Sequence, residues 1–171
     1  MSKQRVLVDT CIIIEAFRIN CWKALCQYYE VETVQCCVDE CAAGDPLEPG
    51  RVPIPHKELL AGLSKVHDVD DVMLISLAIE RPDLPAIDAG ELHMMAWLHA
   101  NPAEAVISAI STADRAAVRA THVLKLVDRV VSLQHLANKA GVGGRQLQNL
   151  HHHFSEDWLS TVRTQLKMGI L

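Results

Sequence analysis

Two apolar runs in this 171-residue chain each lead into an aspartate, and this pattern restricts the folds available to it. VLV stands directly before Asp9, and VISAIS stands shortly before Asp114. Short apolar runs of this kind are typical of buried parallel strands. Helical patterns follow both runs, and alternating strands and helices predict an α/β fold. We therefore expect a three-layer α/β/α domain with a mostly parallel central sheet.

The remaining pattern extends this alternation along the chain. The predicted strands cover residues 5–9, 31–35, 105–110 and 128–133. The predicted helices cover residues 13–29, 56–65, 88–100, 114–126 and 134–140, and a helical turn covers 36–43. Prolines and glycines between 44 and 55 predict a loop. Residues 66–87 include VMLISLAI, which suits either a strand or a buried helix, and periodicity does not decide between them.

The GVGG segment at 141–144 predicts a boundary between a main domain at 1–140 and a helical C-terminal extension at 141–171. Apolar residues in the extension recur every three or four positions, which predicts one buried face. These residues are Leu147, Leu150, Phe154, Trp158 and Val162. An amphipathic helix at a chain end favours an interaction role, and self-association into a homo-oligomer is the simplest one.

The composition places the chain among ordinary globular proteins, since half of its residues are apolar. A net charge of −5 argues against a surface coated with basic residues for nucleic acid, although acidic metal ligands would contribute to this charge. Six cysteines within residues 11–41 and no secretory signal predict reduced thiols and a cytoplasmic location. No apolar run reaches the ~18 residues that a membrane span requires, so we expect no membrane association.

Four acidic residues occupy equivalent places in the predicted fold, at or after the ends of strands or at a helix start. They are Asp9, Glu40, Glu91 and Asp114. In open parallel sheets, ligands bind outside the carboxyl ends of the strands. Four carboxylates gathered there would repel one another unless a divalent cation with oxygen ligands, most naturally Mg²⁺ or Mn²⁺, offset their charge. The pattern therefore favours a metal-dependent enzyme that acts on phosphate esters.

A purely structural interpretation of the same acids stays open. Asp9 could cap the helix after the first strand, because aspartate is a favoured N-cap residue. Asp88 with Glu91, and Ser111 with Asp114, have the spacing of capping boxes. Asp88 also competes with Glu91 as the third acid of the proposed metal site. If Glu91 is the ligand, Asp88 caps the helix or supports the site from outside.

Five segments in this order resemble the PIN domain family over residues 5–137. They are VLVDT, VQCCVDE, DAGELHMMAWLHA, ISTADRAAV and DRVVSLQHL. Each segment is a weak signal alone, but their order and their strand–helix context are more specific. The family often has Asp as its third acid, where this chain offers Asp88 or Glu91. The linker at 44–70 and the tail beyond 141 also make this chain longer than compact PIN toxins.

The resemblance implies a Mg²⁺- or Mn²⁺-dependent ribonuclease, and many PIN domains are toxins of toxin–antitoxin pairs. Carried over by position, the catalytic and metal-binding quartet is the set of four acids named above. RNA is then the substrate, and an antitoxin protein is the partner in the toxin version. Thr10 and Thr112 fall where family members have small hydroxyl residues. Arg115 could hold an RNA backbone or pair with the acids.

Two other function classes are alternatives to the ribonuclease. The first is a catalytically weak PIN-like module for RNA binding or assembly, which the nearly complete quartet disfavours. The second is a phosphatase of the haloacid dehalogenase type, which also places an aspartate after its first strand. That family needs a second aspartate two residues later, where this chain has Cys11, so we discount it.

Overall fold

A computed structural model describes residues 3–45 and 47–171. Its four strands form one sheet in the order β3–β2–β1–β4, and every neighbouring pair is parallel. The strands are β1 at Arg5–Val8, β2 at Glu30–Val34, β3 at Lys65–His67 and β4 at Ala109–Ser111. The prediction of an α/β fold with a parallel sheet is confirmed.

Eleven α-helices surround this sheet in the described residues. In chain order they are α1 Thr10–Arg18, α2 Trp22–Tyr28, α3 Gln35–Ala42, α4 His56–Gly62, α5 Asp71–Glu80, α6 Ala89–Ala100, α7 Pro102–Ala105, α8 Arg115–Val123, α9 Leu133–Lys139, α10 Gly144–Leu147 and α11 Glu156–Lys167. Short 3-10 turns lie at Val127–Arg129 and His152–Phe154.

The sheet separates two apolar clusters, as the alternation of side chains along a strand requires. Val6 and Val8 of β1 pack into one cluster, with α1, α2 and α9. Leu7, between them, packs into the other, with α6 and α8. Buried apolar side chains on both faces are what a parallel sheet needs, and this arrangement is compatible with three layers.

The helix predicted at 13–29 is wrong as a single element, because the structure divides it into α1 and α2. Asn20 has a left-handed backbone with φ of 56°, a conformation that asparagine tolerates better than most residues. The Cys21 N–H then donates to the Ala16 carbonyl oxygen and closes the turn. The break turns the chain so that Trp22 and Leu25 become buried.

The structure also resolves one undecided segment and shortens two predicted strands. The ambiguous stretch at 66–87 contains the end of β3 and then α5, whose N-cap Asp70 accepts a hydrogen bond from the Met73 N–H at 2.9 Å. The strand predicted at 105–110 is shorter, because Pro102 begins the short helix α7 and β4 starts only at 109. The strand predicted at 128–133 is reduced to a single bridge between Val130 and Ile110.

The C-terminal segment is not one continuous helix, because a turn separates α10 from α11. Phe154, Leu159 and Val162 are buried in the same clusters as the sheet. The apolar face predicted for this segment therefore packs largely within the chain. No helix in residues 3–45 and 47–171 combines the length and the apolar character needed to cross a membrane.

A buried carboxylate fastens this segment to α1. Glu15 is 2% exposed, and its Oε1 accepts the His151 N–H at 2.9 Å while Arg18 binds both carboxylate oxygens. Burial alone would raise the pKa of Glu15, but the hydrogen bonds from Arg18 and His151 outweigh it and lower that pKa. Arg18 also donates to the Asn149 carbonyl oxygen. We call this contact the tail latch.

Candidate functional site

Three of the four predicted acids line one pocket of about 390 Å³ near the carboxyl edge of the sheet. Asp9 follows β1 directly, Glu40 lies in the last turn of α3 after β2, and Glu91 lies in the first turn of α6. Asp88 lines the same pocket, so both candidates for the third acid are present. We call this space the acidic pocket.

Asp9 combines a capping role with an unused oxygen. Its Oδ1 accepts the Ile12 N–H at 2.9 Å, as an N-cap of α1 should, and the Cys11 thiol lies 2.9 Å from the same oxygen. Its Oδ2 is buried and has no hydrogen-bond partner in the described residues. Burial raises the pKa of Asp9, and the charge of Asp114 adds to this effect, although the Cys11 thiol, the Thr112 hydroxyl and the Ile12 N–H oppose it.

Glu40 joins three elements through its two oxygens. Its Oε1 accepts the Gly90 N–H at 2.8 Å, and its Oε2 accepts a short hydrogen bond from the Thr10 hydroxyl. A Cβ atom at Gly90 would lie 2.5 Å from Glu40 Oε2 and 2.9 Å from Cys37 Sγ, closer than packed atoms approach. Glycine therefore permits the start of α6 to contact Glu40, and the predicted supporting residue Thr10 fixes the carboxylate from α1.

Glu91 forms the predicted capping box with Asp88, so the structural interpretation of this pair is borne out. The Asp88 N–H donates to Glu91 Oε2 at 3.3 Å. Burial first, and then the charges of Asp9 and Asp114, raise the pKa of Glu91 from 4.5 to about 8. A carboxyl group in this position holds its proton near neutral pH unless a positive charge approaches.

Asp114 stands beside the acidic pocket and is not among the described residues that line it. It caps α8, with its Oδ1 accepting the Ala117 N–H at 2.9 Å, and its own N–H donates to Thr112 Oγ1. Ser111 does not take part in this cap, because its hydroxyl donates to the Val131 carbonyl oxygen. Arg115 is exposed and forms no ion pair with the acids in the described part of the chain.

The donor set suits a hard divalent cation, since it consists of carboxylate and hydroxyl oxygens. The buried, unpartnered Oδ2 of Asp9 and the mutual repulsion of Asp9, Glu91 and Asp114 are both features that a cation would relieve. As the side chains stand, no group of three or more His, Cys, Asp or Glu within residues 3–45 and 47–171 is arranged to hold a metal ion. Binding would therefore require the acidic side chains to move closer together, which Asp9 can do through Oδ2 without losing its cap.

Comparisons of this chain with protein-family models, with curated proteins and with solved structures found no match. The interpretation of the site therefore depends on the geometry and chemistry of its own residues. The resemblance to PIN domains stays a prediction drawn from the sequence segments.

Three residues near the acids had not been singled out from the sequence. Gly90 determines how closely α6 approaches Glu40. The one feature of the sequence that could have indicated this is the presence of a glycine in the first turn of a predicted helix. Cys11 contacts Asp9, and burial raises the pKa of its thiol well above the ordinary value. Ile14 lines the acidic pocket from α1, where its position facing the acids had no sequence signature.

Proposed function

We propose that this protein is a metal-dependent endoribonuclease of the PIN-like three-layer type, with Asp9, Glu40, Glu91 and Asp114 as its catalytic and metal-binding acids. The observation that most supports this is the Oδ2 atom of Asp9. It is buried, it has no hydrogen-bond partner among the described residues, and it belongs to a pocket that three further acids line. A buried carboxylate oxygen without a donor is costly unless a ligand completes it.

Each residue of the proposed site has a role that follows from its contacts. Asp9 would bind a cation through Oδ2 while Oδ1 continues to cap α1. Thr10 restrains Glu40 from the side of α1, and Thr112 accepts the Asp114 N–H at the start of α8. Asp88 maintains the first turn of α6, which presents Glu91 to the pocket.

Bound Mg²⁺ or Mn²⁺ would lower the pKa of a coordinated water and offset the charge of the RNA phosphate during in-line hydrolysis. Glu91 must release its proton before it can act as a ligand, because only the carboxylate form binds a cation well. With a pKa of about 8 in the metal-free state, this release makes metal binding weaker as the pH falls. None of the protein side chains has to act as a covalent nucleophile in this scheme.

The direct test is cleavage of a mixed RNA pool by the wild type and by Asp114→Asn, with Mn²⁺, Mg²⁺ or EDTA. We expect cleavage that requires the metal and that the variant loses, although asparagine still caps α8. Asp9→Asn should behave in the same way, since asparagine is also a good N-cap. Full metal-dependent cleavage by Asp9→Asn would contradict the proposed mechanism.

A second candidate is a catalytically weak PIN-like module that binds RNA or supports assembly. The observation that favours it is that the acids already make hydrogen bonds or cap helices within the fold. Both oxygens of Glu40 already accept hydrogen bonds, and Asp9, Asp88 and Asp114 sit at helix starts. RNA binding by the purified protein, without cleavage in any metal, would favour this candidate.

Partners and location stay predictions. A toxin-type ribonuclease would have an antitoxin protein as its partner, and co-purification with a small second chain would distinguish it from an RNA-processing enzyme. Homo-oligomerisation through the C-terminal segment would have to use side chains outside those already packed within the chain. The proposal of a cytoplasmic location depends only on the clustered cysteines, which we expect to be reduced, and on the expected absence of a secretory signal.

A further inference from the structure

We propose that Arg51 and Ile14 form a subsite for the RNA nucleotide next to the cleaved phosphate, an inference that deepens the proposed ribonuclease function and depends on it. A second pocket of about 330 Å³ lies beside the acidic pocket, and Ile14 and Glu40 line both. The two pockets therefore adjoin, and Ile14 and Glu40 lie where they meet. Asp9 and Glu91 line the acidic pocket, whereas Arg51 lines the second one together with Glu48. We call the second space the Arg51 pocket.

The Arg51 pocket is mixed in chemistry. Ile14, Pro49, Val52 and Ile54 contribute apolar surface, and Arg51 contributes a positive charge. An apolar wall beside a cation suits a nucleotide, whose base or ribose needs a non-polar contact and whose phosphate needs a positive partner. Ile14 is 37% exposed at the point where the pockets meet, so its side chain is accessible to a strand that crosses from one to the other.

The charge of Arg51 is available for such a contact. Its Nη2 donates to two backbone carbonyl oxygens at the end of α3, those of Ala43 and, at 3.5 Å, Cys41. Among the described residues it forms no ion pair with a carboxylate, although Glu48 lines the same pocket. Carbonyl oxygens do not cancel a full charge, and the guanidinium has further donors that can reach a phosphate.

These contacts also mean that Arg51 supports the loop that follows α3, so a loss of RNA binding on mutation could have a purely structural cause. The salt dependence of binding separates the two roles. A side chain that neutralises one phosphate of a single strand adds about 0.7 to the slope of log affinity against log salt concentration. A residue that only supports the loop changes the affinity but leaves this slope unaltered.

The experiment measures binding of a fluorescein-labelled 12-nucleotide single-stranded RNA in EDTA at several salt concentrations, and then cleavage of the same RNA with Mn²⁺. We expect Arg51→Gln to weaken binding about three- to tenfold and to reduce the salt slope by about 0.7. Its KM should rise by a similar factor while kcat stays close to the wild-type value. Arg51→Lys keeps the charge without the planar fork, so its salt slope should stay close to that of the wild type.

Two variants complete the design. Arg145→Gln removes an exposed arginine from α10, which packs at the far end of α1 from Asp9, and it should leave both slope and KM unchanged. Glu48→Gln removes one of the two acids that line the Arg51 pocket, the one outside the proposed metal site, and should tighten binding. An unchanged salt slope in Arg51→Gln overturns the subsite even if cleavage occurs. Binding with the expected slope change but no cleavage in any metal supports the subsite and rejects the ribonuclease, and no binding at all rejects both.

Discussion

Replacing Glu91 with glutamine should stabilise the metal-free protein at high pH. Glutamine has the same shape and can take the same position in a capping box, so the change removes the charge and little else. The pKa of Glu91 lies near 8 because of burial first and of the neighbouring acids Asp9 and Asp114 second. The ionised form is therefore unfavourable in the folded protein, whereas in the unfolded chain it ionises near 4.5.

The sign and size of the effect follow from this difference. An acid with a raised pKa in the folded state destabilises that state as the pH rises, beginning near 4.5 and reaching its full effect above about 8. At ~1.4 kcal/mol per pH unit, this shift would correspond to about 5 kcal/mol. Because Glu91 is partly exposed, solvent screening reduces this to about 1–2 kcal/mol. For a chain of this length that amounts to an increase in Tm of roughly 2–8 °C.

The assay uses circular dichroism to monitor thermal unfolding of the wild type and of Glu91→Gln in EDTA, from pH 4 to pH 9. The two proteins should unfold together near pH 4, and the variant should be increasingly more stable up to about pH 8.5. Glu58→Gln is a matched control, since Glu58 is an exposed acid in the first turn of α4. A Tm difference that does not change with pH would refute the electrostatic reasoning.

Adding Mn²⁺ at pH 8 extends the same experiment to the proposed metal site. A ligand present at ~100 times its Kd stabilises the folded state by about 2.7 kcal/mol. The wild type should gain this stabilisation, and Glu91→Gln should gain clearly less, so their order of stability should reverse. Equal gains in both proteins would remove Glu91 from the ligand set while leaving its electrostatic role intact.

Three further predictions concern the packing around the site and the C-terminal segment. Gly90→Ala should lower the free energy of unfolding by about 1–3 kcal/mol and weaken Mn²⁺ binding, because its Cβ would press on Glu40. Chemical unfolding and Mn²⁺ titration measure the two effects. Gly144→Ala, whose Cβ meets nothing within 4 Å, is the control and should change neither. Glu15→Gln should break the tail latch and increase proteolysis at residues 141–151 at pH 7. The lowered pKa of Glu15 means that its ionised form stabilises the fold, and this contribution is lost as the carboxylate takes up a proton. The difference from the wild type should therefore vanish as the pH falls below 4.5 and through that lowered pKa. Leu159→Ala should lower the free energy of unfolding by about 2–5 kcal/mol, and chemical denaturation should still show one cooperative transition for the whole chain. If the C-terminal segment folded independently, the variant would change only a separate transition that belongs to this segment.

The sequence predicted elements well where a long apolar pattern met a clear boundary residue. The strand predicted at 5–9 ends at Val8, and the helix predicted at 88–100 begins at Ala89, because Asp9 and Asp88 are the caps that start the next helix. Prediction was wrong at Asn20, where one left-handed residue divides a helix whose apolar spacing continues across the break. It was undecided for VMLISLAI, because a short apolar run has no period that distinguishes strand from helix.

The sequence led us to expect Asp9, Glu40 and Glu91 at one edge of the sheet, where they line one pocket, but it did not predict their contacts. Strand ends bring Asp9 and Glu40 to one edge of a parallel sheet, which is a general property of the topology. The contact between Gly90 and Glu40 joins residues fifty positions apart, and no local pattern specifies it. The position of Ile14 between two pockets likewise depends on how α1 packs against the loop after α3.

The capping and metal-binding interpretations of the acids do not exclude each other. A cap uses one carboxylate oxygen, as Oδ1 of Asp9 and Oδ1 of Asp114 do here, and leaves the other oxygen available. The cap then fixes the side chain and directs its second oxygen, which is buried in Asp9, whereas Asp114 is exposed. In Asp9 that second oxygen is enclosed without a donor, an arrangement that capping alone does not require. The helix start therefore accounts for where Asp9 lies, and the cation that we propose would give its buried Oδ2 a partner.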